Sequence, residues 1–264
     1  MEESFGMTSA LIGYSGFVGS NILHQSHFEN LYNSKNIESI INKSFDLLVC
    51  SGVPAVKWLA NKEPAKDLEN INRLTRCLEK VSAQKVILIS TVDVYPSPIE
   101  VDEDTEIDAD ILHPYGKHRL QLERFAKQKF DTLIIRLPGL FGEGLKKNII
   151  YDFIHNNCIE QIHKDSVFQF YYLDNLWKDI RIFLKNDLKL VNLATQPTAV
   201  WEVASEGFGF KFTNEPPSKP AKYDFRTKYS HLLGRTDSIY MYDKDQVLLD
   251  LNKFVSKQKN APVK

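Results

Sequence analysis

Residues 10–19 constrain the fold of this chain more than any other part of the sequence. An apolar run at residues 10–12 leads into Gly13, Gly16 and Gly19, and an apolar helical pattern leaves them. A strand that turns tightly into a helix N-terminus presents backbone N–H groups and the positive end of the helix dipole at one point. Such a site suits a pyrophosphate, provided that glycine stands where a side chain would keep the ligand away. The segment therefore predicts a phosphate-binding loop, with an ordinary strand-to-helix turn as the alternative.

The charge balance argues against several classes of protein. The 264 residues include 33 basic and 34 acidic side chains, which gives a formal net charge of -1. This balance does not indicate a nucleic-acid or membrane-surface partner. No apolar run approaches the roughly 20 residues of a membrane span. The first eight residues lack the basic-then-apolar layout of a signal peptide, so we expect a cytoplasmic protein.

The cysteines and the acidic run do not predict a metal site. Cys50, Cys77 and Cys158 lack CxxC spacing, and two of them lie in apolar patterns that indicate buried free thiols. The carboxylates of residues 100–106 are consecutive rather than spaced as ligands, which is typical of a solvated loop.

Apolar strands alternate with helical patterns in the first half of the chain. Strands are predicted at residues 45–50, 86–89 and 133–137, and helices at residues 64–82 and 115–129. This alternation is typical of an α/β fold with a parallel sheet covered on both faces. We expect a dinucleotide-binding domain over residues 1–160. Residues 161–264 should form mainly a smaller lid, interleaved with late strands of the main sheet.

Further segments align with the glycine loop. They are ISTVDVY at residues 89–95, HPYGKHR at 113–119, RLPGLFG at 136–142, QFYYLDN at 169–175 and VNLAT at 191–195. Together they closely resemble the extended short-chain dehydrogenase/reductase family, which includes sugar-nucleotide epimerases, 4,6-dehydratases and 4-ketoreductases. The resemblance covers roughly residues 9–208. It implies a Rossmann-type doubly wound parallel sheet, a small C-terminal substrate-binding lid and a nucleotide-sugar partner.

The resemblance also implies a catalytic set. Thr91 and Tyr115 would converge on the sugar carbon that is oxidised or reduced, with Tyr115 as general acid or base. In the family, a lysine four residues after the tyrosine lowers its pKa and binds the nicotinamide ribose, but this chain has Arg119 there. A phenol with a pKa of about 10 needs a nearby cation to work near neutral pH, and the i, i+4 spacing supplies one on the same helix face. Lys117 would face roughly the other way.

Each of these residues also has an ordinary structural interpretation. Arg119 could form a surface ion pair with Glu123, Tyr115 could pack on the sheet, and Thr91 could satisfy a turn at a strand end. Arginine keeps the positive charge, but its planar fork makes different hydrogen bonds from an ammonium. The alternative function is therefore a dinucleotide-binding module that has lost catalysis, such as a redox sensor or scaffold.

The choice between NAD and NADP depends on the residues after the second predicted strand. An acidic residue about 20 positions after the glycines would hold the ribose hydroxyls of NAD. This chain has Asn33, Ser34 and Lys35 there, which favours NADP unless Lys35 is only a solvated charge. The full set of predicted cofactor-binding residues is Gly13, Ser15, Gly16, Phe17, Val18, Gly19, Asn33, Ser34, Lys35, Cys50, Ser51, Gly52, Tyr115, Arg119 and Pro138.

Other positions refine the substrate class. Dehydratases of the family carry an Asp-Glu pair after the catalytic Thr, whereas this chain has Val92 and Asp93, which favours reduction or epimerisation of a keto-sugar nucleotide. Asp93 is a candidate substrate contact, although capping of the turn is the role that the sequence favours. Lys147 and Asn148 lie where the substrate diphosphate approaches in relatives, or they form a solvated loop.

The resemblance finally implies an assembly. In relatives, the helices that match residues 64–82 and 115–130 pair across a two-fold axis. We therefore expect a homodimer, although the apolar face of the first helix could equally pack on its own sheet.

Overall fold

The computed structural model describes residues 8–259, so residues 1–7, on which most of the signal-peptide prediction falls, lie outside the described part. Its strands are β1 (Ser9–Ile12), β2 (Asn30–Tyr32), β3 (Ser44–Cys50), β4 (Ser82–Thr91), β5 (Thr132–Leu137), β6 (Gly139–Phe141), β7 (Val167–Phe168), β8 (Phe170–Tyr172), β9 (Leu190–Asn192) and β10 (Thr198–Ala199). Its α-helices are α1 (Phe17–Gln25), α2 (Lys57–Lys62), α3 (Pro64–Leu78), α4 (Pro114–Lys129), α5 (Ile149–His155), α6 (Leu176–Lys185), α7 (Val200–Glu202) and α8 (Lys244–Lys259). Within residues 8–259, no helix combines the length and the apolar character that a membrane crossing requires.

The described residues divide into two compact units. The first contains residues 8–96, 106–136 and 177–191, and the second contains residues 97–105, 137–176 and 192–259. The first unit therefore holds the glycine loop, Thr91 and Tyr115.

The main sheet has the strand order β2-β1-β3-β4-β5-β9. β1 pairs in parallel with β2 on one side and with β3 on the other, and β3 pairs in parallel with β4. The order of the strands thus reverses between β1 and β3, which creates a topological switch point at their carboxyl ends. Every residue of β5 is buried, as expected for a strand covered on both faces. The predicted Rossmann-type α/β fold is confirmed.

The apolar stripe of α3 packs on its own sheet. Ile71, Leu74 and Leu78 belong to one core cluster with Leu48 of β3 and Leu88 of β4. This packing accounts for the helical spacing that had also suggested a dimer interface, so the homodimer stays a prediction.

The cysteines follow the sequence prediction. Cys50 and Cys77 are buried free thiols, and Cys158 is exposed. Among residues 8–259, no group of three or more His, Cys, Asp or Glu side chains is arranged to hold a metal ion.

The second unit has its own small sheets and core. β6 pairs in parallel with β8, and β7 pairs antiparallel with β10. The apolar face of α8 packs against both members of the first pair, through Leu251 and Phe254 against Phe141 and Phe170. A π-helical segment, Val203–Phe208, follows α7.

The acidic loop at residues 100–106 corrects one sequence prediction. Glu103 is not simply solvated, because its carboxylate accepts hydrogen bonds from Thr227 Oγ1 at 2.6 Å and from the Asn192 N–H at 2.8 Å. Burial raises the pKa of Glu103, while these hydrogen bonds lower it. Within the second unit, the Glu103 carboxylate thus holds this loop to Asn192 and Thr227, whereas the sequence alone assigned it to solvent.

Candidate active site

Two glycines of the loop are required by packing. Gly13 adopts φ +87°, and its N–H donates to the Tyr32 carbonyl at 2.7 Å. A Cβ on Gly13 would lie 2.5 Å from the Ser51 carbonyl oxygen, and a Cβ on Gly19 would overlap the Gly13 carbonyl. Only glycine fits both positions, the first because of the turn and the second because α1 approaches the loop so closely.

Gly16 plays a different part. It caps α1 in an extended conformation and brings no side chain that could accept hydrogen bonds from the first-turn N–H groups. The nearest atom to a Cβ built on Gly16 is the Gly13 carbonyl oxygen at 3.2 Å, so the backbone conformation does not exclude a side chain. Ser15 and Gly16 are exposed, and Phe17 and Val18 are half-buried. The arrangement fits a pyrophosphate, because an anion satisfies the N–H groups at such a helix end.

The end of β3 is joined to this loop. Ile12 and Cys50 are partners in the sheet register, and Ser51 Oγ donates to the Ile12 carbonyl at 2.9 Å. Burial raises the pKa of the Cys50 thiol to about 11, so the thiol stays protonated. A Cβ on Gly52 would lie 2.6 Å from Ile12 Cγ2. The predicted residues Cys50, Ser51 and Gly52 therefore lie beside the glycine loop at the switch point.

The predicted ribose segment follows β2. Asn33 is used in the turn itself, since its Oδ1 accepts from the Lys35 N–H at 2.9 Å. Arg73 of α3 donates to the Ser34 carbonyl at 2.9 Å and pairs with Glu38 at 2.6 Å. Sequence reasoning missed Arg73, because no local pattern connects it with a turn 39 residues earlier.

Thr91 and Tyr115 come together at the end of β4. The Thr91 hydroxyl accepts from the Asp93 N–H at 3.1 Å, which is the ordinary turn role, and the same side chain lowers the pKa of Tyr115. Tyr115 lies in the first turn of α4, and its N–H donates to Asn61 Oδ1 of α2 at 2.9 Å. The structural and the catalytic interpretations of Thr91 are thus compatible.

Arg119 does not form the surface ion pair with Glu123 that sequence left open. It is only 5% exposed, and its terminal nitrogens donate to the two oxygens of Asp67 at 2.5 and 2.9 Å. They also donate to the Pro54 carbonyl at 2.5 Å and the Tyr115 carbonyl at 3.3 Å. The guanidinium carbon lies 3.9 Å from the centre of the Tyr115 ring. The guanidinium of Arg119 therefore lies over the tyrosine ring, while its N–H groups donate to the Asp67 carboxylate and to backbone carbonyls.

Glu123 belongs to a separate buried network. It pairs with Arg136 at 2.6 Å and accepts from Ser90 Oγ at 2.6 Å. Arg136 also donates to the Tyr95 hydroxyl at 2.7 Å. These contacts explain why Glu123, although it lies four residues after Arg119, does not pair with it.

The pKa of Tyr115 is raised above its usual value of 10, and burial is the largest cause. Arg119 lowers the pKa, as the sequence predicted, but its effect is smaller than that of burial. Asp93 raises the pKa, whereas the hydrogen bond with Thr91 and the charge of Lys57 lower it. The phenol is therefore protonated at neutral pH.

Asp93 and Lys57 form an ion pair next to this tyrosine. Lys57 Nζ lies 2.7 Å from Asp93 Oδ1, so the carboxylate does not cap the turn as sequence favoured. Thr91 makes that capping contact instead. Neither α2 nor Lys57 was predicted, because a helix of six residues is too short for a periodic signal.

His113 begins α4. Its Nδ1 accepts from the Gly116 N–H at 3.1 Å, which satisfies one of the first N–H groups of the helix. Burial lowers the pKa of His113 from 6.5, and the charge of Lys57 lowers it further. The neutral ring that capping requires is therefore the favoured form.

The remaining predicted residues lie in the second unit. Pro138 is half-buried after β5, and Lys147 is exposed. Asn148 caps α5 through Oδ1, which accepts from the Ile150 N–H at 3.0 Å, and its Nδ2 donates to the Leu140 carbonyl at 2.8 Å. The amide of Asn148 is thus engaged in holding its own loop.

Comparisons with known proteins agree with this architecture. No family model matches the chain, and no curated protein matches it in sequence. Among solved structures, it is similar to a dTDP-4-dehydrorhamnose reductase from Clostridium acetobutylicum, at 15% identity over 95% of this chain and 99% of that one, with a TM-score of 0.70. It is also similar to UDP-glucose 4-epimerase from Thermotoga maritima, at 17% identity over 95% and 98% of the two chains, with a TM-score of 0.70. An NAD-dependent NDP-hexosamine 5,6-dehydratase of tunicamycin biosynthesis gives 15% identity over 96% and 98%, with a TM-score of 0.73. The chain therefore has the fold of these sugar-nucleotide enzymes.

Proposed function

We propose that this chain is a nicotinamide-dependent oxidoreductase or epimerase that acts on a nucleotide-linked keto-sugar. The observation that carries the proposal is the placement of Thr91 at the end of β4 and Tyr115 in the first turn of α4, in the same unit as a glycine loop at a switch point. The loop after β3 connects these two regions. Its residue Ser51 lies next to Gly13, and its Pro54 carbonyl accepts a hydrogen bond from Arg119. The similarity in fold to a reductase and an epimerase of sugar nucleotides supports the substrate class.

The cofactor would be held by backbone groups at one end. Gly16 and the N-terminus of α1 would bind the pyrophosphate, and Ser51 and Gly52 would line the adenosine side. When bound, the nicotinamide supplies or accepts the hydride. NADP is favoured over NAD, because Lys35 is exposed in a turn that has Asn33 where an acid would repel a 2′-phosphate.

Tyr115 would move the proton at the sugar oxygen, and Thr91 would hold that oxygen. Because burial keeps the phenol protonated at neutral pH, Tyr115 is suited to donate a proton in the direction of ketone reduction. Dehydration is disfavoured, since Val92 is buried in the core and Asp93 is paired with Lys57. Lys147 would approach the diphosphate of the substrate, and Asn148 would position that loop.

The test is a panel of 4-keto-sugar nucleotides with NADPH or NADH, followed by nicotinamide absorbance. We expect oxidation of the cofactor with at least one member of the panel, and loss of that activity in Tyr115→Phe. Parallel titrations should show tighter binding of NADPH than NADH, and a Lys35→Ala variant should lose most of that difference. Equal binding of the two cofactors would remove the NADP assignment without affecting the reaction.

A second candidate function is a dinucleotide-binding module without catalysis. Two observations favour this function. The guanidinium of Arg119 pairs with Asp67, and the pKa of Tyr115 is raised despite the nearby cations. This function predicts cofactor binding as tight as in an enzyme, no turnover on the panel, and no effect of Tyr115→Phe on any measured property except the local ring signals.

A further inference from the structure

We propose that Lys57 is a positioning residue for proton transfer at Tyr115, and that it supplies from α2 a second cation beside Arg119, which stands four residues after the tyrosine. The inference rests on the proposed function, since it assigns a part in proton transfer. It concerns a helix of six residues that no sequence pattern singled out.

The first support is the position of α2. Lys57 and Asn61 are four residues apart and so lie on one face of this helix. Asn61 accepts the N–H of Tyr115 at 2.9 Å, and Lys57 pairs with Asp93 at 2.7 Å. One helix face thus makes contact both with the start of α4 and with the turn that follows Thr91.

The second support is the charge arrangement around Tyr115. On α4 itself, Arg119 stacks on the ring and lowers the pKa of Tyr115 more than Lys57 does, while its guanidinium pairs with the buried carboxylate of Asp67 from α3. His118 Nδ1 lies 2.7 Å from that same carboxylate. His113, at the start of the helix, is held in its neutral form.

The turn after β4 contributes the opposing charge. Asp93 raises the pKa of Tyr115, and Lys57 lowers it. Lys57 is 40% exposed and Asp93 is 19% exposed, so removal of the lysine would leave a largely buried carboxylate facing the phenol without its partner. Lys57 therefore acts on Tyr115 in two ways, through its own field and through neutralisation of Asp93.

The test measures the titration of Tyr115 itself by NMR of the full chain labelled at tyrosine Cζ, with Tyr115→Phe to assign the signal. Lys57→Met should raise the pKa of Tyr115 on the order of half a unit, because solvent screens an exposed ammonium. Lys57→Arg should stay close to the parent. In the double variant with Lys57→Met and Asp93→Asn, the pKa of Tyr115 should move most of the way back to the parent value, because the unpaired carboxylate is then gone.

Lys62→Met is the matched control, because Lys62 lies exposed on the same helix. It should leave the titration of Tyr115 unchanged. A second reading near neutral pH comes from the imidazole of His113, whose pKa Lys57→Met should also raise, because Lys57 lowers it in the parent.

The two proposals fail in different ways. If Tyr115 or His113 titrates in Lys57→Met as in the parent, the inference about Lys57 is overturned, whatever the enzyme does. If both titrations move as expected but the keto-sugar panel shows no turnover, the charge coupling is supported and the proposed reaction is wrong. For an active enzyme, the alkaline limb of the pH–rate profile should move upward in Lys57→Met together with the Tyr115 titration.

Discussion

The glycine loop and the Tyr115 centre belong to the same unit but are built in opposite ways. The loop is one short segment, and its fit to an anion depends on backbone shape at Gly13, Gly16 and Gly19. The Tyr115 centre is assembled from separate elements: the end of β4 gives Thr91, and the other contributors come from α2, α3 and α4. Its chemistry depends on charges and burial rather than on shape.

The difference shows which kind of substitution the glycine loop and the Tyr115 centre are each sensitive to. A backbone site fails when a side chain enters the space of the ligand. In a charge-based site, several opposing contributions set one pKa, so a substitution that leaves every neighbour in place can still change the chemistry. Substitutions should therefore separate binding from proton transfer.

The largest expected effect belongs to Tyr115→Phe. Removal of the hydroxyl takes away the proton-transfer group and should lower turnover by about 10²–10⁴-fold. Cofactor affinity should change little, because the glycine loop is unaltered. The comparison is made by steady-state kinetics and cofactor titration on the same preparation. Equal losses in binding and turnover would mean that the two halves are not separable.

Arg119→Ala should give the next largest effect, on stability. Among the described residues, it leaves His118 as the remaining side-chain hydrogen-bond partner of the buried Asp67 carboxylate, and loss of one member of such a buried pair costs about 3–5 kcal/mol. Arg119→Lys should cost less, since an ammonium keeps the charge but not the planar fork. Urea unfolding gives the free energies. A cost for Arg119→Ala below about 1 kcal/mol would contradict a buried pair.

Gly16→Val should weaken dinucleotide binding by at least about tenfold, or about 1.4 kcal/mol. The branched side chain enters the space where the pyrophosphate approaches, although the extended backbone at Gly16 can accept it. Calorimetric titration measures the affinity, and an unchanged melting temperature serves as the folding control. Parent-like affinity in a folded variant would show that the ligand does not lie over this glycine.

The smallest effect concerns His113 and pH. Because its folded pKa lies below 6.5, the unfolded chain binds the proton more readily. The contribution to stability is therefore present above pH 6.5 and is lost as the pH falls through the folded pKa. His113→Asn keeps a capping acceptor but cannot titrate, so the variant should lose less stability than the parent between pH 7 and pH 5. Identical pH dependence in the two proteins would exclude His113 as the titrating group.

Local patterns were sufficient to predict much of the fold. The apolar runs of β3, β4 and β5 and the apolar spacing of α3 and α4 matched the observed elements, because each lies within one continuous segment. The glycine loop was predictable for the same reason. α6 was missed although its buried residues Leu176, Ile180 and Phe183 have helical spacing, so a signal was present there.

The charge partners of the site could not be predicted in this way. Asp67 and Arg119 are 52 residues apart, and Lys57 and Asp93 are 36 apart. The first pair forms because α3 packs beside α4, and the second forms because α2 lies next to the turn after β4. Periodicity carries no information about such neighbours. The sequence therefore predicted Tyr115 and its helix, but it offered Glu123 rather than Asp67 as the alternative acidic partner of Arg119, and it overlooked Lys57.

The most direct test of the account is transfer of deuterium from nicotinamide cofactor labelled at C4 to a keto-sugar nucleotide, followed by mass spectrometry. The account predicts one deuterium in the sugar product of the parent and almost none with Tyr115→Phe, although both proteins bind the cofactor equally well. Cofactor binding without any labelled sugar, for every member of the panel, would contradict the proposed reaction and leave the non-catalytic module as the function.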